Sequence, residues 1–529
     1  MKRIRFSVFC FIVILLPLFY CSCTKNDATY KGNLKIGWAS ESITPDSPVH
    51  IRGMGGVRIS EGIMDSITVT ALALESIDDQ TSEPVILISC DLVTITDGMR
   101  DGCKDNLRDN VRKLITESLP NLKNEQIIMN ATHTHTAPGN GPEDNWESVY
   151  GIDLDIMSPS MVQKFLADRI SKAAIRAWES RKTGGISYGL SHAVVGHNRQ
   201  VAKISGKSVQ YSGTSDPDFS HIEGYEDHSV NLLYTWDDKK NLTGVVINLA
   251  CPSQVTETFF TISADFWHDT RLELHKRLGK GIYILPQCSS AGDQSPYVMI
   301  GAKAEERMQQ IMFPDIDQTG NRTIGRRKQI AMRISDAVLS ILPYMKEHVE
   351  WNPVFIHRTR TVELSGRLFN TEYVFYHNKI NAIEAAKESE RQYQEMLDEI
   401  NNNPEIKNKP RWYVSISRFY QEMKNQQKII ERSKMQQDQP RVPIEIHVIR
   451  IGDMVIATNP FELYLDYGIR IKGRSPAVQT FIVQLTGDGL YLPTFRSEAG
   501  GSYGAGQRVS LIGPEGGAGT RGTYFGTYQ

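Results

Sequence analysis

Short apolar runs closed by turn residues recur along this 529-residue chain, and they constrain its fold more than any other feature. Residues 84–89, 127–129, 242–250, 282–285, 454–457 and 480–485 are each rich in Val, Ile, Leu or Met. Runs this short, bounded by Gly, Pro, Asn and Asp, read as buried strands rather than helices. Helical patterns lie between them. Residues 98–118 place Val111, Leu114 and Ile115 on one face, and residues 161–180 carry a stripe from Val162 and Leu166 to Ile170, Ala174 and Trp178. Strands interleaved with amphipathic helices predict a mixed α/β fold of layered sheets with flanking helices. Residues 370–439 break the rhythm: they are rich in Glu, Lys, Gln and Asn, with Tyr, Ile and Met at helical intervals around Asn401-Asn402-Asn403-Pro404. That pattern predicts a long helical hairpin inserted into a main domain formed by residues 34–369 and 440–529.

The first residues predict export. Lys2, Arg3 and Arg5 precede an almost unbroken apolar stretch, 6–20, that is short for a membrane span. Ser22-Cys23 then resembles a bacterial lipoprotein cleavage site. The expectation is a signal peptide over 1–23, a polar tether over 24–33, and a lipid anchor at Cys23 on the outer membrane or periplasmic face. Beyond Cys23 only Cys90, Cys103, Cys251 and Cys288 remain, too few for a disulfide framework. The core must therefore carry stability. A formal net charge of -2 implies no polyanion-binding surface and argues against nucleic acid as the main partner.

Chemistry-bearing side chains gather just past the apolar runs. His133 and His135 follow the 127–129 run, and Pro138-Gly139 ends the segment. On a strand, residues two apart share a face, so both imidazoles are expected to point the same way. Cys251-Pro252 follows the 242–250 run, and Gly292-Asp293-Gln294-Ser295-Pro296 follows 282–285. Glu462 and Tyr491 come after 454–457 and 480–485. Open sheets collect functional groups at strand ends, so a metal site built this way needs no compact motif. Taken singly, a His-x-His fits a sheet-capping role and a serine in a Gly/Pro loop fits a plain turn. The glycine-rich loop at 52–56 lacks the Lys-Ser/Thr that phosphate binding would need.

Taken together, these pieces resemble the neutral/alkaline, non-lysosomal ceramidase family. His133-Thr134-His135-Thr136-Ala137-Pro138-Gly139 is similar to that family's His-Thr-His-Ser-Gly-Pro-Gly element, and Gly292-Asp293-Gln294-Ser295-Pro296 to its Gly-Asp-Val-Ser-Pro element with the catalytic serine. Asn198-Arg199 resembles its substrate-contacting Asn-Arg, and Pro460-Phe461-Glu462 its zinc-binding Pro-Gly-Glu. Tyr491 stands where the family has a zinc-bound tyrosine, and Tyr503 suits its second active-site tyrosine. The resemblance implies Zn2+ as cofactor, held by His133, Glu462 and Tyr491. The family's second zinc histidine is missing: the chain reads Leu249-Ala250-Cys251-Pro252 there. Either Cys251 as a thiolate or His268, at the head of the next helix, would fill the place; His268 is preferred because an exported thiol is easily oxidised.

The resemblance implies a zinc-dependent hydrolase that cleaves the N-acyl bond of a sphingolipid-like substrate. Ser295 would attack or position the substrate, His135 would shuttle the proton, and Arg199 and Tyr503 would stabilise the oxyanion. Two other readings keep the fold: a hydrolase acting on a glycan or other acylated nutrient, and a non-catalytic surface lipoprotein that binds glycan.

Overall fold

The structure is a computed structural model that describes residues 32–77, 82–100, 102–141 and 145–518. The signal peptide, Cys23 and most of the expected tether lie outside the described residues, as does the tail beyond 518.

Eight strands form the main sheet: β1 (Leu34–Ser42), β2 (Thr68–Ile77), β3 (Ser82–Cys90), β4 (Ile127–Ala131), β5 (Lys182–His192), β6 (Ser229–Asp237), β7 (Leu242–Leu249) and β8 (Tyr283–Cys288). Their order across the sheet is β8-β7-β6-β5-β1-β2-β3-β4. The two halves repeat one plan. Three antiparallel strands are followed by a helix and then by a parallel edge strand. The helices are α1 (Leu107–Ser118), between β3 and β4, and α3 (Phe266–Leu278), between β7 and β8. A parallel pair needs such a crossover, which is why each half ends this way.

Among the described residues the halves pair as strands only at Lys35–Thr183 and Ile36–Lys182, so the sheet folds over on itself there. Alternation then decides what each residue touches. Leu72, Leu74, Val85 and Leu87 of one half meet Leu233, Val246 and Leu285 of the other in a central core. Trp38 Nε1 donates to Thr235 Oγ1 across it at 2.9 Å. The alternate residues face outward to helices. Ala71, Ala73, Ile86 and Ile88 are covered by α1 and by α2 (Pro159–Glu179). Val230, Leu232, Val245 and Ile247 are covered by α3 and by α4 (Ile324–Glu347). The result is four layers: helices, half-sheet, half-sheet, helices. Each fully buried Val, Leu or Ile contributes roughly 1.5–3 kcal/mol, and the described cysteines are free, so burial carries the fold.

Caps set the helix starts. Ser158 Oγ accepts from the Met161 amide with Pro159 next, which starts α2 two residues before the expected 161. Asn106 caps α1, and Gly98 and Gly102 take φ of +77° and +71° before it, so the expected helix over 98–118 begins only at Leu107.

A second sheet, β9 (Phe355–Ser365), β10 (Arg441–Ile451), β11 (Met454–Thr458) and β12 (Gln479–Val483), runs in that order. Ile449, Ile451, Ile456 and Phe481 enter the central core. β9 pairs with β10 along its whole length, which brings residues 366 and 440 side by side. What lies between them opens with a β-hairpin, Glu372–Phe375 with Asn378–Asn381, which the sequence reading did not anticipate. Helices α5 (Ala382–Asn402) and α6 (Tyr413–Met435) follow and pack together. Their far end buries Tyr393, Ile400, Tyr413 and Ile416 against Val57, Trp146 and Tyr150.

Candidate active site

The ends of β3, β4, β7 and β8 are stitched together. The Thr132 amide donates to the Cys90 carbonyl at 3.0 Å, Ser253 to Thr132 at 3.2 Å, and Ser289 to Leu249 at 2.8 Å. A short parallel pair, Glu462–Leu463 with Tyr491–Leu492, closes the group.

β4 stops at Ala131, so strand periodicity is not what aligns the two histidines. His133 takes φ +64°, an uncommon conformation for a residue with a side chain. Its Nδ1 lies 2.8 Å from the Val93 carbonyl, which can only accept. Nδ1 therefore donates, and Nε2 is the nitrogen left to face Glu462 and His135. That Nε2 is 3.4 Å from Glu462 Oε2 and 3.2 Å from His135 Nε2. Gly53 makes room for the His135 ring: a Cβ there would lie 2.5 Å from it. The Gln254 side-chain amide donates to His135 Nε2 at 2.8 Å, and His135 Nδ1 stands 3.7 Å from Glu257 Oε2 with no hydrogen-bond partner. Burial first, then His133 and nearby arginines, holds His135 well below its ordinary pKa, so the ring is neutral.

Burial alone would raise the Glu462 carboxyl. His133, Arg199 and a hydrogen bond from Tyr491 more than offset it and keep the carboxylate ionised. Tyr491 is the converse case: burial and the Glu462 charge keep its phenol protonated. Arg199, 3% exposed, donates to the Gly292 carbonyl at 2.8 Å, to Tyr491 Oη at 3.1 Å and to Tyr211 Oη at 3.2 Å. Tyr503 packs its ring 6.1 Å from that of Tyr491, and burial raises its pKa too.

Ser295 arrives on a two-residue pairing with His197–Asn198. Its Oγ accepts from Tyr211 Oη at 3.0 Å and from the Tyr297 amide at 3.1 Å. Gly292 permits the close pass of this loop under Glu462, because a Cβ there would lie 2.3 Å from the Glu462 carbonyl oxygen. Asp293 ties the loop down: it accepts from Asn198 Nδ2 and from the Leu465 amide, both at 2.9 Å. Burial pushes its carboxyl up to about 6.

The structure thus brings His133, His135, Arg199, Ser295, Glu462, Tyr491 and Tyr503 into one neighbourhood. It does not bring His268. Asp265 caps α3 and turns His268 to Asp65, 4.0 Å away, with its side chain 31% exposed. Asp65 in turn holds Arg327, Ser263 and Ala264. Cys251 is no substitute. Its thiol lies in the core between β7 and α4, 3.5 Å from the Val195 carbonyl, and burial pushes its pKa well up, away from the thiolate. The expectation that either residue completes the metal set is not met here.

Among the described residues no group of three or more His, Cys, Asp or Glu side chains is arranged to hold a metal ion. The convergent set is two such side chains, His133 and Glu462, with the Tyr491 phenol. Donors around a tetrahedral zinc stand roughly 3.3 Å apart, and His133 Nε2 and Glu462 Oε2 are 3.4 Å apart. Imidazole, carboxylate and phenol leave one position open, as three-ligand catalytic zinc sites do. The spacing of His133 and Glu462 suits two donors on one zinc ion, and Tyr491 would have to give up its proton to join them.

Sequence reasoning missed four participants. Tyr211, at φ +57°, touches Ser295; Gln254 touches His135; Glu257 faces His135; and Arg58, 5% exposed, donates to the carbonyls of His135, Glu257 and Phe259. Gln254 carried the one local signal, since it lies just past the β7 end, three residues beyond Cys251. Tyr211 carried none.

No protein-family model matches the chain, and no curated protein sequence does so significantly. Solved structures do. The neutral ceramidase from Pseudomonas aeruginosa superposes with a TM-score of 0.61 at 15% identity, over 92% of this chain and 72% of that one. A ceramidase complexed with C2 gives 0.60 at 14% identity, over 92% and 73%. The chain therefore carries the neutral ceramidase fold.

Proposed function

We propose that this protein is a zinc-dependent hydrolase of the neutral ceramidase type, cleaving an N-acyl bond of a sphingolipid-like or similarly acylated substrate. The observation that supports it most is the meeting of His133, Glu462 and Tyr491 beside Arg199 and Ser295, at the strand ends of a ceramidase-like fold. His133, Glu462 and Tyr491 would hold the zinc ion, which when bound would supply Lewis acidity toward the acyl carbonyl and a lowered pKa for water. The chain's own groups do the rest. Arg199 and the protonated phenol of Tyr503 donate to the oxygen that gains charge. His135, neutral and with an accepting Nε2, takes up a proton and returns it to the leaving amine. Ser295 accepts two hydrogen bonds and keeps its own hydrogen to give, so it can position the substrate or attack it.

The experiment is fatty-acid release from N-acyl substrates by the purified full-length protein, before and after exhaustive chelation and zinc add-back. Loss on chelation with recovery on zinc is expected, together with inactivity of His133→Ala and Glu462→Gln. Full activity after chelation would overturn the proposal. Export and anchoring at Cys23 belong to the same proposal, with the membrane as the site of the substrate. They rest on the first 23 residues alone. No helix among the described residues is long and apolar enough to cross a membrane.

A further inference from the structure

Behind Tyr503 lies a cavity of about 850 Å³ that the reaction described above does not use. The turn at Ser205–Lys207, the segment after β9, Val374, Tyr376 and His377 of the hairpin, and residues 498–502 and 505–507 wall it. It shares a wall with the candidate active site. Tyr376 lines the cavity and sets its ring 6.3 Å from that of Tyr503, while Ser502 and Ala505 flank Tyr503 in sequence.

The walls are held by close backbone contact. A Cβ on Gly500 would lie 2.5 Å from Ser208, and one on Gly506 would lie 2.4 Å from the Phe375 ring. Gly501, at φ +70°, passes beside His377, whose Nε2 bonds the Ser208 carbonyl at 3.2 Å. The space is a half-open cleft, and its size is that of a small-molecule site.

Its chemistry is two-sided. Leu368, Val374 and Tyr376 are apolar and 82%, 54% and 39% exposed. The remaining wall offers Glu498 paired with Arg367, and Glu515, Lys207, His377 and Gln507. A hydrocarbon tail gains about 0.8 kcal/mol per methylene only where the surroundings are apolar, and here it would desolvate charges of both signs. A charged ligand finds carboxylates and cations together and is not selected. Hydroxyl groups both donate and accept, so a neutral ring bearing several of them satisfies both signs, and its C–H face covers the apolar wall.

We propose that this cavity binds the polyhydroxylated head group of the substrate, a hexosamine-like ring whose acylated nitrogen reaches Tyr503. The inference rests on the reading of the neighbouring site as an N-acyl hydrolase, and it names that site's leaving group.

The test is calorimetric titration of zinc-loaded wild-type protein with D-glucose, an uncharged ring of this kind. It is repeated on Val374→Trp and Leu368→Trp, exposed positions where added bulk fills the cavity without entering a core. Turnover of N-octanoylglucosamine and N-octanoylsphingosine is measured on the same three proteins. Saturable binding that weakens about tenfold or more in both variants is expected, with a matching fall in kcat/KM for the sugar amide and a smaller one for the sphingosine amide, whose head group presents fewer hydroxyls. No saturable binding by wild type, or equal binding by all three, overturns the assignment. Cavity-dependent sugar binding without cleavage of either amide removes the hydrolase reading and leaves the cavity assignment standing. Cleavage without cavity-dependent sugar binding removes only the cavity assignment.

Discussion

His133 Nε2 and Glu462 Oε2 stand 3.4 Å apart, one delivered by the end of β4 and the other by the segment after β11. The imidazole is fixed in one tautomer by the Val93 carbonyl, and the carboxylate is kept ionised by its neighbours. Purified protein is expected to hold about one zinc per chain. His133→Ala and Glu462→Gln should weaken zinc affinity by at least about a hundredfold, measured by competition with a chromophoric chelator. His268→Ala and Cys251→Ser should leave it unchanged, because neither side chain touches this pair.

What could be read from the sequence was local. The apolar runs and the turn residues that end them are short-range features, so the strand ends and the residues just past them were legible. The helical periodicity of α5 and α6 was legible for the same reason. What could not be read depends on residues far apart. The folding of the sheet at two residue pairs, which sets one half on the other, leaves no mark near Ile36 or Lys182. The left-handed turn at His133 is imposed by its surroundings, and the strand-spacing argument for the histidine pair reached the right neighbourhood by the wrong geometry. Gln254 and Tyr211 acquire their roles only through contacts across 119 and 84 residues.

Gly292→Ala tests whether the serine loop and the Glu462 segment must touch. The new methyl would lie 2.3 Å from the Glu462 carbonyl oxygen and 3.0 Å from the Leu463 carbonyl carbon, all backbone, so one segment has to move. Overpacking of this kind costs roughly 1–3 kcal/mol. Lowered thermal stability is expected, with a loss of zinc affinity that a remote destabilising change would not produce. A variant with wild-type stability and zinc affinity would show that the segments are loosely coupled.

Gly151→Ala tests how the α5–α6 hairpin is moored. Gly151 ends the short helix Trp146–Tyr150 at φ +73°, and a Cβ there would meet the rings of Tyr420 at 2.4 Å and Tyr393 at 2.7 Å. Tyr393 also donates to the Gly151 carbonyl. Strain and clash act together, so destabilisation of about 2 kcal/mol is expected. Hydrogen exchange should show lost protection at the far end of α5 and α6, with β9 and β10 unaffected.

A buried relay on the second sheet gives a pH dependence with a definite sign. His357 Nε2 is 3.1 Å from His447 Nδ1, and His447 Nε2 is 2.9 Å from Glu445, which Arg112 also holds. Burial, then His447 and Arg358, lowers His357 from 6.5 to about 4. Between those values the unfolded chain binds a proton that the folded chain refuses. Stability from this group is therefore full above about pH 7, falls as pH drops through 6.5, and levels off below about 4. The loss is on the order of 3 kcal/mol. Asp97 and Asp293, pushed up to about 6 by burial, act in the opposite sense over part of this range. The difference between wild type and His357→Phe in urea unfolding isolates the histidine. The variant should lose less stability than wild type between pH 7 and pH 4.5, and equal losses would contradict the assignment.

Tyr211 links the cation of the site to its serine: Arg199 donates to Tyr211 Oη, and that hydroxyl donates to Ser295 Oγ. Tyr211→Phe removes both bonds without altering any of His133, Glu462 or Tyr491. Ser295 is left with the Tyr297 amide alone, and Arg199 keeps its bonds to Gly292 and Tyr491. Zinc affinity should stay at the wild-type level while kcat falls by about 10–100-fold, the range typical of one lost positioning contact. Ser295→Ala then separates the two roles left open for the serine. A serine that attacks cannot be replaced by a methyl group, so kcat should fall by at least about a thousandfold and the Tyr211→Phe change should add nothing further. A serine that only positions the substrate costs about tenfold, and the two substitutions together cost less than the product of their separate effects, because they share the Tyr211–Ser295 hydrogen bond. The size of the single Ser295→Ala effect, measured at constant zinc occupancy, decides which.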